Sequence, residues 1–148
     1  MKKILLICFL SILLNSASAQ QPVQAPAFAI GNFTDDYQIT YSINDTLWIQ
    51  YPNTKYRILK WNLEKQFLIA QNDAGNKTDR HKYTRIDFMS FTGMAPYTWG
   101  FCLTAYDADT PEMAEKKAIA DRSNPKKGCN GYPFSRMKKT VTQATNEK

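Results

Sequence analysis

Tyr37-Gln38-Ile39-Thr40-Tyr41-Ser42-Ile43 alternates large apolar or aromatic side chains with small polar ones. A repeat of two marks a strand with one buried and one wet face. The pattern recurs downstream. Asn44-Asp45 turns the chain, and Leu47 to Tyr51 reads as a second strand that ends at Pro52-Asn53. Lys55 to Trp61 and Gln66 to Gln71 read as a hairpin around Asn62-Leu63-Glu64-Lys65. Lys82 to Phe91 carries Tyr83, Ile86, Phe88 and Phe91, the aromatic and β-branched residues that strands favour. Tyr97 to Tyr106 places Trp99, Phe101, Leu103 and Ala105 on one face and Cys102 on the other.

Six strands are the minimum, because Gly31 to Ile43 and Lys82 to Phe91 are long enough to bend and serve twice. Sequential antiparallel strands with short turns predict a mainly β fold, a meander that forms a small barrel or a strongly twisted sheet. One C-terminal helix follows. Thr110 is placed to cap it, Pro111 suits its first turn, and Glu112 complements its dipole. Helix formers continue to Asp121, with a weakly apolar face of Met113, Ala114, Ala118 and Ile119.

The chain has 148 residues, 13% of them aromatic, with 19 basic against 13 acidic side chains. That length predicts one domain, and the composition excludes disordered and collagen-like chains. Lys2-Lys3, an eleven-residue apolar run from Ile4 to Leu14, and Ala17-Ser18-Ala19 read as a secretory signal peptide over 1–19. The run is short of the roughly 20 residues that span a bilayer, and no second one follows, so no transmembrane segment is expected after cleavage. Residues 20–30 read as a flexible lead-in, 31–139 as one β-rich domain and 140–148 as a flexible tail. Removing 1–19 leaves 129 residues and a charge of +4. Two cysteines then remain, Cys102 and Cys129. An even count in an exported chain predicts a disulfide in the periplasm or outside the cell.

Gly31-Asn32-Phe33 resembles the Gly-x-Trp entry signature of lipocalin-like (calycin) barrels, with Phe for Trp. The order of a meander, a helix and a disulfide-tied C-terminal segment is similar too. The chain also resembles a group of exported bacterial β-rich proteins with no assigned activity. The residues that carry this are Asp35-Asp36-Tyr37, Tyr56-Arg57-Ile58, Arg85-Ile86-Asp87, Trp99-Gly100-Phe101-Cys102 and Gly128 to Phe134. The resemblance implies a barrel and no particular chemistry.

No catalytic constellation is convincing. His81, the lone histidine, sits in the polar stretch Asn72 to Arg80 and its border, without a recognisable nucleophile. Asp73, Asn76, Asp79 and His81 fit neither an EF-hand nor a zinc pattern, so a solvated loop is expected and no metal or cofactor. Asp35 and Asp36 are neighbours, whose side chains diverge in a strand; they read as a strand-entry pair rather than a glycosidase dyad.

Arg85 and Asp87 share one strand face. If Ile86 and Phe88 point to the core, the pair is an exposed rib; if their own face lines a barrel, Arg85 is a fork for a ligand carboxylate or phosphate. Trp48, Tyr56, Trp61, Arg85, Asp87 and Trp99 are therefore the ligand-binding candidates, for a small, partly apolar molecule. Arg122, Lys126, Lys127, Arg136, Lys138 and Lys139 form a run without an intervening acid. They are candidates for an anionic envelope surface, in an interaction or inhibitor module. Export and the lack of a recognition motif argue against nucleic acid. The expected function is thus ligand binding in an exported barrel, not catalysis.

Overall fold

The computed structural model describes residues 24–140; the segment 1–19 expected as a signal peptide and almost all of the expected tail, 140–148, lie outside them. Eight strands run Gly31–Asp35 (β1), Thr40–Ile43 (β2), Leu47–Gln50 (β3), Thr54–Asn62 (β4), Phe67–Asn72 (β5), Tyr83–Ser90 (β6), Trp99–Ala108 (β7) and Ser135–Lys139 (β8). Each pairs antiparallel with the next, and β8 returns to β1 to close a barrel. The layout is compatible with a lipocalin-like one. Closure leaves no unpaired sheet edge.

Two strands exceed the six-strand minimum. The segment Gly31 to Ile43 bends at Asp36–Ile39, with Gln38 at φ +66°. Asp35 makes the bend. Its Oδ1 accepts the N–H groups of Tyr37 and Ile39, both at 2.9 Å. Tyr37 thus lies in a turn and is exposed, not in the strand its alternation suggested. Lys82 to Phe91 does not bend; it supplies β6 alone. The eighth strand comes from Ser135–Lys139, within the stretch read as an irregular basic segment. Met137 alone points a large apolar side chain inward from it, too little for a period to show.

The inner face carries Phe33, Tyr41, Trp48, Ile86, Phe88, Trp99 and Phe101, all nearly solvent-free. Their rings meet edge to face: Trp48 and Phe101 at 5.0 Å between centroids, Phe33 and Trp99 at 5.3 Å, Tyr41 and Phe101 at 5.5 Å. Such pairs add about 0.5–1.5 kcal/mol each to the burial of their area. Phe33, of the Gly31-Asn32-Phe33 stretch, is part of this packing. The Trp99 indole N–H is the one buried side-chain polar atom without a partner among the described residues.

Residues 24–30, expected within a flexible lead-in, pack against one end of the barrel. Ala27–Ala29 form a 3-10 turn with Ala29 fully buried, and Phe28 lies on Phe88 and Trp99 at 6.1 and 5.9 Å. The Ala25 N–H donates to Asp45 Oδ1. The opposite end is formed by the β1–β2, β3–β4 and β5–β6 connections.

Helix α1, Pro111–Lys117, starts as expected: Thr110 Oγ1 accepts the Met113 N–H at 3.2 Å. It stops four residues earlier than expected. Ala118 turns extended, so that Ala120 becomes buried near Cys102 and Arg122 reaches the barrel wall. Tertiary contacts here override helix propensity. Met113 and Ile119, assigned to the packed face, are exposed; Ala114 alone is sealed. The Cys102–Cys129 disulfide is present and ties β7 to the segment before β8.

Candidate functional site

Two places combine a concavity with distinctive chemistry. The first is at the loop end of the barrel. The long β5–β6 connection folds over it because Asn76, buried, clasps β4: its Oδ1 accepts the Lys55 N–H and its Nδ2 donates to the Lys55 carbonyl, both at 2.9 Å. Asn72 ties the same loop down, donating to the carbonyls of Asp79 and Tyr106. Beneath lies a cleft of about 300 Å³, lined by Tyr56, Leu103 and Tyr106 with Thr54, Asn72 and Asn76–Asp79. Its frame is fixed by hydrogen bonds that satisfy both asparagines.

The two tyrosines on the inner face near this end differ. Tyr41 donates its hydroxyl to Asp35 Oδ2 at 2.9 Å. Burial, then that carboxylate, pushes its ionisation far above the ordinary tyrosine value. The Tyr56 hydroxyl finds no protein partner among the described residues, yet it is not sealed from solvent. Burial pushes its pKa up to about 12, with Asp79 adding to the effect. At neutral pH it is therefore an uncommitted O–H donor.

The second place is on the outside of the wall. Ile86 and Phe88 point inward, so Arg85 and Asp87 point outward, away from the barrel centre. Neither sequence reading of the pair holds. They line no interior, and they are no exposed rib: Arg85 and Asp87 are 3% and 0% exposed. Helix α1 and the chain after it cover them. Arg85 donates from Nε and Nη2 to the two oxygens of Asp87 at 2.8 and 2.9 Å, and from Nη1 to the Glu115 carbonyl. Its guanidinium lies 4.1 Å from the Phe67 ring centroid. Thr104 donates its hydroxyl to the same carboxylate at 2.6 Å.

Arg122, expected on a basic surface, is the third member. Its Nη2 donates to Asp87 Oδ1 at 2.8 Å and to the carbonyls of Lys65 and Gln66, and its Nε to the Phe88 carbonyl. It fastens the post-helix segment to the β4–β5 turn and to β6. The signal for this covered face was in β5. Phe67-Leu68-Ile69-Ala70 is apolar without a break, the mark of a strand buried on both sides, and Phe67 lies opposite Asp87.

The remaining candidates scatter. Trp48 and Trp99 belong to the ring packing of the core. Trp61 is half-buried at the plugged end and donates its indole N–H to the Asp45 carbonyl at 2.8 Å. Of the ligand candidates only Tyr56 lines the loop-end cleft. The six cations do not act as one set. Arg136 pairs with Asp36 at 2.9 Å and stacks over Tyr97. Lys138 and Lys139 border a shallow surface beside Thr34 and Pro96. Lys126 and Lys127 are exposed in the disulfide-tied segment. Asp35 and Asp36 diverge, one into the barrel mouth and one to Arg136. Among the described residues no three His, Cys, Asp or Glu side chains gather as metal ligands. No helix there is long and apolar enough to cross a membrane, which says nothing of crossing with strands. Comparison of the chain with protein-family models, with curated proteins and with solved structures finds no match in any of the three.

Proposed function

We propose that this barrel binds a small, partly apolar molecule in the loop-end cleft rather than at its centre. The observation that carries the reading is Tyr56: a largely buried phenol with no protein partner, lining a cleft whose other walls are fixed. Small-molecule sites combine such an apolar lining with a few aimed polar groups, and volumes from about 300 Å³ upward are typical. Tyr56 orients the ligand by donating to an acceptor on it, and Leu103 and Tyr106 cover its apolar part. The role is binding, not catalysis. His81, the one imidazole, bonds no carboxylate among the described residues, and its backbone sits in the exposed loop at φ +62°.

Screening a fragment collection by NMR tests this. Hits are expected to shift the signals of Tyr56, Leu103 and Tyr106. Tyr56→Phe should weaken those with a carbonyl acceptor by about fivefold, the effect of one hydrogen bond. Leu103→Trp, which fills the cleft, should abolish them. Hits that bind both variants as tightly as the parent overturn the reading.

A second reading has its own observation. Tyr132 is 73% exposed on a turn closed by the Cys129–Tyr132 bridge, in the same disulfide-tied segment as the exposed Lys126 and Lys127, and the neighbouring Gly131 N–H donates to the Lys127 carbonyl. An exposed aromatic with lysines in the same segment suits an anionic envelope surface. Binding to vesicles of anionic lipid that is unchanged in Lys126→Ser/Lys127→Ser/Tyr132→Ser would remove this reading.

A further inference from the structure

The outer wall carries a cleft of about 580 Å³ between α1, the β4–β5 turn and the segment that ends in Arg122. Phe67 and Arg85 line it from below; Lys65, Lys116 and Ile119 line it from the chain segments around it. The charges beneath, two of them buried and that of Arg122 partly exposed, do not cancel. One carboxylate, Asp87, serves two guanidiniums, Arg85 and Arg122. One positive charge is left over, offset in part by the carbonyls that Arg85 and Arg122 also hold. A charge only partly withdrawn from water and short of a counter-charge attracts an anion.

Besides Asp87, no carboxylate is bonded to Arg122 among the described residues. Glu115 gives its carboxylate to Lys60 at 2.7 Å. Glu64 also lines the cleft but is exposed and makes no ion pair among the described residues, and the exposed Lys65 and Lys116 add two positive charges to the same rim. Arg122 donates through Nε and Nη2 but has no acceptor for Nη1 among the described residues, and its side chain is 22% exposed. Ile119, the apolar residue of the cleft border, is 71% exposed.

We propose that this cleft is an anion site. It takes the carboxylate or phosphate monoester of a small molecule at Arg122, with the molecule's apolar part lying on Ile119. The site is separate from the loop-end cleft. A guanidinium fork suits either oxyanion, and both supply the charge that the cluster lacks.

The test follows the side-chain Nε–H signals of Arg122 and Arg85 by NMR while sodium hexanoate, sodium phosphate or sodium chloride is added at matched ionic strength. A saturable shift at Arg122 with hexanoate, with phosphate or with both supports the site and identifies its headgroup. The double variant Lys65→Ser/Lys116→Ser leaves the buried cluster intact. It should weaken binding by about three- to fivefold, the scale of two exposed charges. Arg122→Lys keeps the charge without the fork and, followed at the Arg85 Nε–H signal, should weaken it further. The proposal is overturned by no saturable shift up to the solubility limit, by a shift that chloride reproduces, or, in backbone amide spectra of the same titration, by shifts confined to Tyr56 and Tyr106.

Discussion

Along β6, Ile86 and Phe88 point into the barrel and meet aliphatic and aromatic side chains; Arg85 and Asp87, their immediate neighbours, point out and meet each other, Arg122 and Thr104. Both faces are dry. The inner one depends on shape, and its attractions are the sum of many weak contacts. The outer one depends on charge, and a few directed bonds carry it. Shape tolerates exchange of similar volumes. A buried charge with its partner removed does not find another.

Conservative substitutions separate the two faces most sharply. Asp87→Asn keeps the outline of the side chain but strands two guanidiniums. It should lower unfolding free energy by about 3–5 kcal/mol, read from urea denaturation. Ile86→Leu, one residue away, should cost less than about 1.5 kcal/mol. Equal losses for the two would erase the distinction. Next in size is the staple over the outer face. Cys102→Ser/Cys129→Ser should cost about 3–4 kcal/mol by the loop-entropy argument, and the Asp121 amide, bonded to the Gly128 carbonyl, should lose its protection from hydrogen exchange before that of Phe101 does.

The inner face has a pH signature of its own. Tyr56 ionises at about 12 when folded against 10.0 as an isolated side chain. The folded protein therefore holds a proton that the unfolded chain releases. The contribution of Tyr56 to stability is full below pH 10 and is lost as pH rises from 10 towards about 12. Denaturation midpoints measured from pH 9 to 11.5 should fall, and Tyr56→Phe should flatten part of that fall. The smallest effect belongs to the solvent side of α1. Lys117 holds the Asp107 carboxylate below the usual range, yet both are exposed. Lys117→Ser should leave the midpoint unchanged, in contrast to Asp87→Asn.

The period-two runs made most of the barrel legible: β3, β4, β5, β6 and β7 lie within a few residues of where alternation places them. The helix start was legible from Thr110-Pro111-Glu112, because capping is local chemistry. β1 and β2 were legible only as one long segment able to bend and serve twice, and β8 was not legible. The turn at Asp35 is made by a side chain bonding backbone two and four residues on, inside a run that otherwise alternates. β8 is mostly basic and is held in place by its neighbours β1 and β7. The candidate sites were legible only in part. Arg85 and Asp87 were recognised as a pair by their spacing, but what covers them lies some thirty residues away in the chain. Arg122 and Arg136 looked like free charge because their acids, Asp87 and Asp36, are 35 and 100 residues distant. Tyr56 was singled out among many aromatics with nothing to show that its hydroxyl would stand alone.

The strand that closes the barrel is also the last to be made. Until Ser135–Lys139 is in place, β1 and β7 each present an open edge, the kind of surface that recruits other chains into aggregates. Asp35 must then meet Met137, a partner about a hundred residues away, and closing so long a loop is slow. The bond from Cys102 to Cys129 shortens that search. It fixes a point on β7 to a point six residues before β8, so the closing strand is delivered beside its slot. Oxidation and closure are thereby coupled. A chain kept reduced is expected to spend longer with both edges bare, and to be lost to aggregation in proportion to its concentration.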